Sequence, residues 1–277
     1  MQTPALGKLI ADCWMNAENT VRETARGYRD KGEEFITDLL NSDLEREFQK
    51  VSENRFVEKA FLSDLKKAFP LITGESLSNV ALGLIATVSF HPKHVEGKTG
   101  GDLGIVVVPP QAQMSPFDEH LTIDRDHRRG LLCQAKIFGH KSKWGRLKPK
   151  QLKVLPGKTA YSSLLLYRYA DQEAKRRDLQ PFAWQLMREA TVEEIQNWLA
   201  SDSFPQLSDS RVIFRDLMGD KIGTGDKVVI DRDIAPSGLR DSLVITIRWK
   251  DGRYPGDRVS VKGISAVREK QQVVLQR

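Results

Sequence analysis

Two short stretches near the middle of the chain decide the fold: residues 99–108 have the sequence TGGDLGIVVV, and residues 131–138 have the sequence LLCQAKIF. Each is an apolar run next to Gly or Pro, which predicts a buried β-strand. Asp102 lies between glycines at the start of the first strand. Gln134 and Lys136 are two residues apart on the second strand, so their side chains leave the same face. If the strands are neighbours, a carboxylate, an amide and an ammonium group meet at one point.

This combination of side chains suits a metal site. Asp102 and Gln134 can supply the oxygen ligands that Mg²⁺ or Mn²⁺ prefers. Lys136 can orient or stabilise a water molecule beside the ion. The alternative is a surface turn with an aspartate, followed by a strand whose polar residues face water. We predict that Asp102, Gln134 and Lys136 are catalytic and that Asp102 and Gln134 are the metal ligands.

The Gly-Asp and Gln-x-Lys motifs, in their strand context, resemble those of the PD-(D/E)xK nuclease superfamily. The Mrr-like restriction endonuclease branch is similar in using Gln-x-Lys, and the resemblance covers roughly the central half of the chain. It implies an α/β fold with a restriction endonuclease-like mixed-sheet core, in the order helix, three strands, helix, strand. Compared with the commoner Glu-x-Lys motif, Gln134 removes one negative charge from the metal site.

The same resemblance implies a function. It is that of a Mg²⁺-dependent (or Mn²⁺-dependent) endonuclease that hydrolyses DNA phosphodiester bonds, in prokaryotic restriction or anti-phage defence. A helicase, ATPase or sensor protein of a defence system is the further partner that it suggests. The alternative is a catalytically degenerate module of this fold, which binds DNA or docks such a partner.

In this superfamily an acid on the first helix often joins the metal site, and three glutamates are candidates. Glu34 lies in the sequence EEFITD, which is similar to a pattern in some defence-associated nucleases. Glu58 lies on the predicted helix nearest before the sheet, and Glu75 follows where that helix should end. For each of them, a solvated glutamate on a helix surface is the alternative. We favour Glu34 as the fourth catalytic residue. Glu96, six residues before Asp102, either assists the site or pairs with Lys98.

Basic residues are concentrated after the second strand. Residues 125–158 contain eleven Lys or Arg and one acid. Those that follow the Gln-x-Lys strand directly, with Trp144 among them, are Lys141, Lys143, Arg146 and Lys148. Basic side chains interleaved with an aromatic residue suit a phosphate backbone, so we predict that these four bind nucleic acid. A solvated loop or a protein-docking surface is the alternative.

Composition narrows the class of protein. The chain has 277 residues, 40% of them hydrophobic and 29% charged, with a net charge of +6, which is typical of a globular protein. Two cysteines give no disulfide framework. The sequence contains no apolar run of membrane-spanning length, and residues 1–10 lack the order of a signal peptide. We therefore expect a cytoplasmic protein without a membrane partner.

Periodicity predicts the remaining elements. Helices are expected over residues 4–22, from residue 33 onwards and over 54–69, and the first strand over 81–92. After the basic loop we expect a crossover helix over 147–155 and a fourth strand over 162–169.

The C-terminal part differs in character. A capping box at Thr191 and Glu194 predicts one more helix. Apolar β-branched segments then predict strands at 212–214, 228–230, 243–249 and 273–275. We divide the chain into an N-terminal helical region (1–80), a nuclease-like core (81–205) and a β-rich C-terminal extension (206–277) packed on the core as one unit.

Overall fold

The computed structural model describes residues 4–26, 32–53, 84–107, 112–113, 122–123, 128–139, 143–170, 178–236, 241–246 and 260–265. In these ranges the chain is an α/β protein, with a mixed β-sheet flanked by helices. No helix within them is long and apolar enough to cross a membrane.

The strands in chain order are β1 (Leu84–Phe90), β2 (Leu103–Val107), β3 (Ala112–Gln113), β4 (Thr122–Ile123), β5 (Arg129–Gly139), β6 (Lys143–Trp144), β7 (Ser162–Arg168), β8 (Ala183–Leu186), β9 (Leu207–Ser208), β10 (Asp241–Thr246) and β11 (Ser260–Ser265). The order across the main sheet is β11-β10-β1-β2-β5-β7-β8-β9, and β6 pairs with the end of β5. Strands β5 and β7 are parallel, and the other pairs of this sheet are antiparallel. Strands β3 and β4 form a separate pair.

The helices are α1 (Pro4–Ala25), α2 (Glu33–Glu53), α3 (Lys93–Thr99), α4 (Pro149–Val154), α5 (Val192–Ser201) and α6 (Ser210–Met218). A 3₁₀-helix, Leu155–Tyr161, continues α4 and leads into β7. A helical turn, Lys227–Val229, continues as a π-helix, Ile230–Ile234. The predictions of α1, α2, α5, the first strand, the crossover helix and the fourth strand are confirmed; the helix predicted over 54–69 lies outside the described residues.

The sheet is buried on both faces, because alternate residues of its central strands enter different hydrophobic clusters. Leu131, Cys133 and Ala135 of β5 pack with buried residues of α1, α2 and α6. Leu132, which points the opposite way, packs with Ile230 and Ile234 of the π-helix. The apolar runs in the sequence therefore correspond to central strands with a covered surface on each side.

Close approach of the backbone explains a glycine in β2. A Cβ atom on Gly104 would lie 1.7 Å from the carbonyl oxygen of Ile234. Only glycine lets the π-helix lie this close to the strand.

The C-terminal part is more helical than the sequence predicts. Residues 212–214 lie in α6 and residues 228–230 in the helical turn and π-helix, so the two strand predictions are wrong. Asp209 accepts from the backbone N–H of Val212, and Asp226 accepts from Val228 and Val229, so each helix has a side-chain N-cap. The β-branched residues after these caps are helical because packing overrides their strand propensity.

The strands predicted at 243–249 and 273–275 have different outcomes. Strand β10 (Asp241–Thr246) overlaps the strand predicted at 243–249, and β10 and β11 extend the main sheet beside β1. Residues 273–275 lie outside the described residues. The division at residues 80/81 and 205/206 stays a prediction.

Candidate active site

The Gly-Asp motif places a carboxylate against the neighbouring strand. Gly100 ends α3 with a φ of 78°, a left-handed conformation that favours glycine. The N–H of Asp102 donates to the Cys133 carbonyl oxygen at 2.8 Å, and Oδ2 of Asp102 accepts from the N–H of Ala135 at 2.7 Å. The same Oδ2 accepts a hydrogen bond from Nε2 of Gln134. Asp102 and Gln134 therefore meet, as their positions on adjacent strands predict.

Lys136 reaches an acid on the first turn of α2, but that acid is Glu33. Its Nζ lies 3.1 Å from Oε1 of Glu33, and the Lys136 side chain is only 3% exposed. Glu34, the residue favoured from the sequence, has a side chain that is 68% exposed and pairs with Lys93 at 3.3 Å. Neighbouring helix residues point about 100° apart, so one of the two can face Lys136 while the other faces solvent. Glu58 and Glu75 lie outside the described residues.

Two further side chains join the site. Nε2 of Gln151, on α4, donates to Oε1 of Glu96 at 2.9 Å and to Oε1 of Gln134 at 2.8 Å. Glu96, on α3, also pairs with Lys148 at 3.4 Å, and its role at the site stays a prediction. Gln151 was missed by sequence reasoning. The signal that could have found it is its capping-box position, three residues after Lys148.

The backbone of Lys148 sets the direction of these amide hydrogen bonds. Its N–H donates to Oε1 of Gln151 at 2.8 Å, so the Gln151 amide nitrogen must face Glu96 and Gln134. Gln134 then accepts with its oxygen and donates its N–H to Asp102. In this arrangement the Gln134 oxygen accepts from Gln151 while its amide nitrogen holds Asp102, and the role of Gln134 as a metal ligand stays a prediction.

A cavity of about 200 Å³ opens beside these residues. Its lining contains five acids, which are Glu33, Glu34, Asp38, Glu96 and Asp102. Burial raises the pKa of Asp102 to about 7, with Lys136 lowering it and the charges of Glu33 and Glu96 raising it. Burial also raises the pKa of Glu33, and Lys136 opposes that shift. The lining also contains Lys93, which pairs with Glu34, and with Lys136 and Lys148 this leaves five acids against three lysines.

The donor set fits a hard divalent cation that keeps most of its water. Among the residues that the structure describes, no group of three His, Cys, Asp or Glu side chains is placed to hold a metal ion directly. Mg²⁺ usually binds through one or two carboxylates and retains several waters. Asp102 is the residue that would hold it, with Glu33 and Glu96 close enough to affect the Asp102 carboxyl electrostatically. A divalent cation here would polarise a phosphate and acidify a water molecule.

The basic residues after β5 divide into two groups. Lys148 pairs with Glu96, as described above. Lys143 and Arg146 are exposed, and within the described ranges neither forms an ion pair. Lys141 lies outside the described residues. Trp144 is buried against Phe138 and Phe204, with ring centroids 5.2 and 5.5 Å away, so it contributes packing.

The sequence was compared with protein-family models and with curated proteins. No family model matches the chain, and no curated protein matches it.

Proposed function

We propose that this chain is a metal-dependent phosphodiesterase that cleaves DNA at the site formed by Asp102, Lys136 and Glu33, with Gln134 and Gln151 positioning the carboxylates. One observation supports it above the others: a buried lysine and a partly buried aspartate with a raised pKa lie together beside a cavity with an acidic lining. Titratable groups whose pKa values are shifted by burial and by neighbouring charges are concentrated at catalytic sites.

The order of elements also supports a restriction endonuclease-like core. Helix α2 is followed by β1, β2 and β5, which pair in antiparallel fashion, then by the short helix α4 and by β7, which is parallel to β5. This is the order of helix, three strands, helix and strand that the motif resemblance implies. Prokaryotic restriction or anti-phage defence, and a helicase, ATPase or sensor partner, belong to the proposal on that resemblance alone.

The residues suggest a division of labour during phosphodiester hydrolysis. The oxygen of a water molecule bonds to phosphorus and gives up a proton to solvent, while the P–O bond to the departing sugar oxygen breaks and that oxygen takes up a proton from solvent. The ammonium group of Lys136 stabilises the negative charge that develops on the phosphate, and Glu33 orients that ammonium group. Asp102 is held still by the N–H of Ala135 and by Gln134. Gln151 holds Glu96 at the edge of the same cavity.

Plasmid cleavage tests this proposal. With Mg²⁺ or Mn²⁺ we expect nicking or linearisation of supercoiled DNA, and with EDTA none. Asp102→Asn and Lys136→Met should each lower the cleavage rate by about 100-fold or more, the range typical for loss of one group that stabilises transition-state charge. Asp231→Asn and Lys227→Met remove matched charges from exposed positions and should cleave like the wild type. Wild-type cleavage by Asp102→Asn would refute the assignment.

The helix acid is tested in the same assay. Glu33→Gln should lower the cleavage rate by about tenfold or more, because Lys136 loses its orienting partner. Glu34→Gln should change it less than about twofold, because that side chain is exposed at the cavity rim and pairs with Lys93 rather than with Lys136. If Glu34→Gln is the more damaging change, the sequence-based choice is correct and the pairing of Lys136 with Glu33 is not the working arrangement.

A catalytically inactive DNA-binding module remains the second candidate. The observation that favours it is the orientation of Gln134, whose amide nitrogen rather than its oxygen faces Asp102. Salt-dependent DNA binding without cleavage in any divalent metal would support this function over the first.

A further inference from the structure

A second cavity, of about 350 Å³, lies between β6 and α5. This volume is within the range of small-molecule binding sites. Its lining residues are Lys143, Trp144, Arg146, Leu147, Gln196, Asn197, Leu199 and Ala200. The cavity therefore combines an apolar surface with two side-chain amides and two cationic groups.

The walls of this cavity are held by packing. Trp144 and Leu147 belong to the same buried cluster as Leu199. Nε1 of Trp144 donates to Oδ1 of Asp202 at 2.8 Å, which fixes the indole ring. Helix α5 begins with the capping box of Thr191 and Glu194, so the amides project from a well-anchored helix. A ligand would meet a preformed site, which lowers the entropy cost of binding.

The two cations on its rim are available to an anion. Lys143 and Arg146 are exposed and form no ion pair with any residue that the structure describes. The neighbouring Arg168, by contrast, pairs with Asp202. Unpaired basic side chains beside an apolar cavity are the pattern expected for a nucleotide, which has both a phosphate and a planar base.

This cavity adjoins the candidate active site through one residue. Gly145 lies between Trp144 and Arg146, and its N–H donates to the carbonyl oxygen of Ile137 at 3.1 Å. A Cβ atom on Gly145 would lie 3.6 Å from Oε2 of Glu33 and 3.8 Å from Cδ of Lys136. The short segment that lines the second cavity therefore also runs beside the Lys136–Glu33 pair.

We infer that the second cavity binds one unpaired nucleotide of the DNA strand next to the cleaved phosphate. The phosphate lies against Lys143 and Arg146, the base packs on Leu147 and Leu199, and Gln196 and Asn197 hydrogen-bond its edge. This inference rests on the proposed function. A base inside a duplex is stacked and paired, so it cannot enter the cavity without being extruded. The substrate class that follows is DNA with a single-stranded segment, such as a flap, a gap, an overhang or the locally unpaired region of an underwound, negatively supercoiled plasmid.

Fluorescence anisotropy in EDTA measures this preference without cleavage. The probes are a fluorescein-labelled single-stranded 12-mer and the duplex of the same sequence. We expect the wild type to bind the single strand more tightly than the duplex. The double variant Gln196→Ala/Asn197→Ala should lose about tenfold in affinity for the single strand and little for the duplex. Gln196→Glu, which keeps the shape of the side chain, should weaken single-strand binding by repelling the phosphate.

Matched controls separate the cavity from general charge effects. Gln206→Ala removes an exposed amide outside the cavity lining and should bind both probes like the wild type. Arg146→Ala should weaken single-strand binding more than Arg211→Ala, which removes an exposed arginine elsewhere. Circular dichroism of each variant verifies that helix α5 remains folded.

The outcomes distinguish this inference from the proposed function. If the wild type shows no strand preference, or if the double variant binds both probes as the wild type does, the cavity is not a nucleotide site, whatever the plasmid assay gives. If the preference is lost in the double variant while no metal supports cleavage, the nucleotide site is upheld and the nuclease proposal fails.

Discussion

Two aspartates near lysines, the buried Asp233 and the partly buried Asp102, have opposite charge surroundings. Asp233 of the π-helix accepts from Nζ of Lys158 at 2.6 Å, from the Tyr161 hydroxyl at 2.7 Å and from Arg232 at 2.8 Å. Burial alone would raise its pKa, but these hydrogen bonds outweigh burial and hold the pKa at about 2. At Asp102, burial and the charges of Glu33 and Glu96 outweigh the effect of Lys136 and raise the pKa to about 7.

The difference separates a structural ion cluster from a candidate functional one. The Asp233 cluster is satisfied by groups of the chain itself, so it fastens the π-helix to the 3₁₀-helix that precedes β7. The Asp102 cluster has five acids and three lysines beside a cavity, so its negative charge is only partly balanced. Buried charge that the protein does not balance is costly, and a bound cation would remove that cost.

Breaking the Asp233 cluster should have the largest effect on stability. Asp233→Asn leaves Lys158 buried without its carboxylate, and we expect the free energy of unfolding to fall by about 3 kcal/mol in urea denaturation. Asp231→Asn, two residues away, removes the exposed partner of Arg128 and should cost less than about 1 kcal/mol. Equal losses for the two variants would show that burial of the Asp233 cluster does not matter.

Neutralising Asp102 should act in the opposite direction in metal-free protein. Its pKa in the folded state, about 7, is above the ordinary 3.8, so the folded protein binds more protons and loses stability as pH rises between these values. Asp102→Asn removes this loss. We expect its free energy of unfolding at pH 7.5 in EDTA to exceed that of the wild type by on the order of 1–2 kcal/mol.

The control for that prediction is the pH profile itself. The pKa of Asp233 is lowered, so its contribution is present above pH 3.8 and lost as pH falls towards about 2. Asp233 thus affects stability only at the acid end of the range. In denaturation curves measured from pH 3 to 8, Asp102→Asn should therefore flatten the dependence of the free energy of unfolding on pH between pH 4 and 7. If Asp102→Asn is less stable than the wild type at pH 7.5, the Asp102 carboxylate is not destabilised by its charge surroundings.

Adding one more acid to the Asp102 cluster should increase its charge imbalance relative to the Asp233 cluster, with a smaller effect on stability than the two changes above. Gln134→Glu replaces the N–H that Asp102 accepts with a second carboxylate oxygen. We expect the metal-free variant to lose roughly 1 kcal/mol and to gain more from added MgCl₂ than the wild type does, as measured by the rise in Tm. Gln206→Glu, an exposed control, should respond to MgCl₂ like the wild type. If Gln134→Glu responds to Mg²⁺ as the wild type does, the Asp102 cluster is not a metal-binding site.

Local pattern was sufficient for much of the candidate site. Asp102, Gln134 and Lys136 come together because their strands are adjacent and the period of a strand is two residues, which the sequence itself displays. The sequence also predicts a crossover helix between β5 and β7. Such a connection is what two parallel neighbouring strands require, and β7 is parallel to β5. Helix α5 was recognised through its capping box, which is a local interaction.

What the sequence by itself determined is therefore what depends on residues close in the chain: the buried strands, the Gly-Asp turn and the pair of polar residues on one strand face. Only the tertiary structure decided that Glu33 rather than Glu34 meets Lys136, because that depends on how α2 is rotated against the sheet. It also decided that Gln134 donates to Asp102, since the direction of that hydrogen bond is set by a backbone N–H on α4 and transmitted through Gln151. Contacts between distant segments depend on packing geometry, and no local period encodes that geometry.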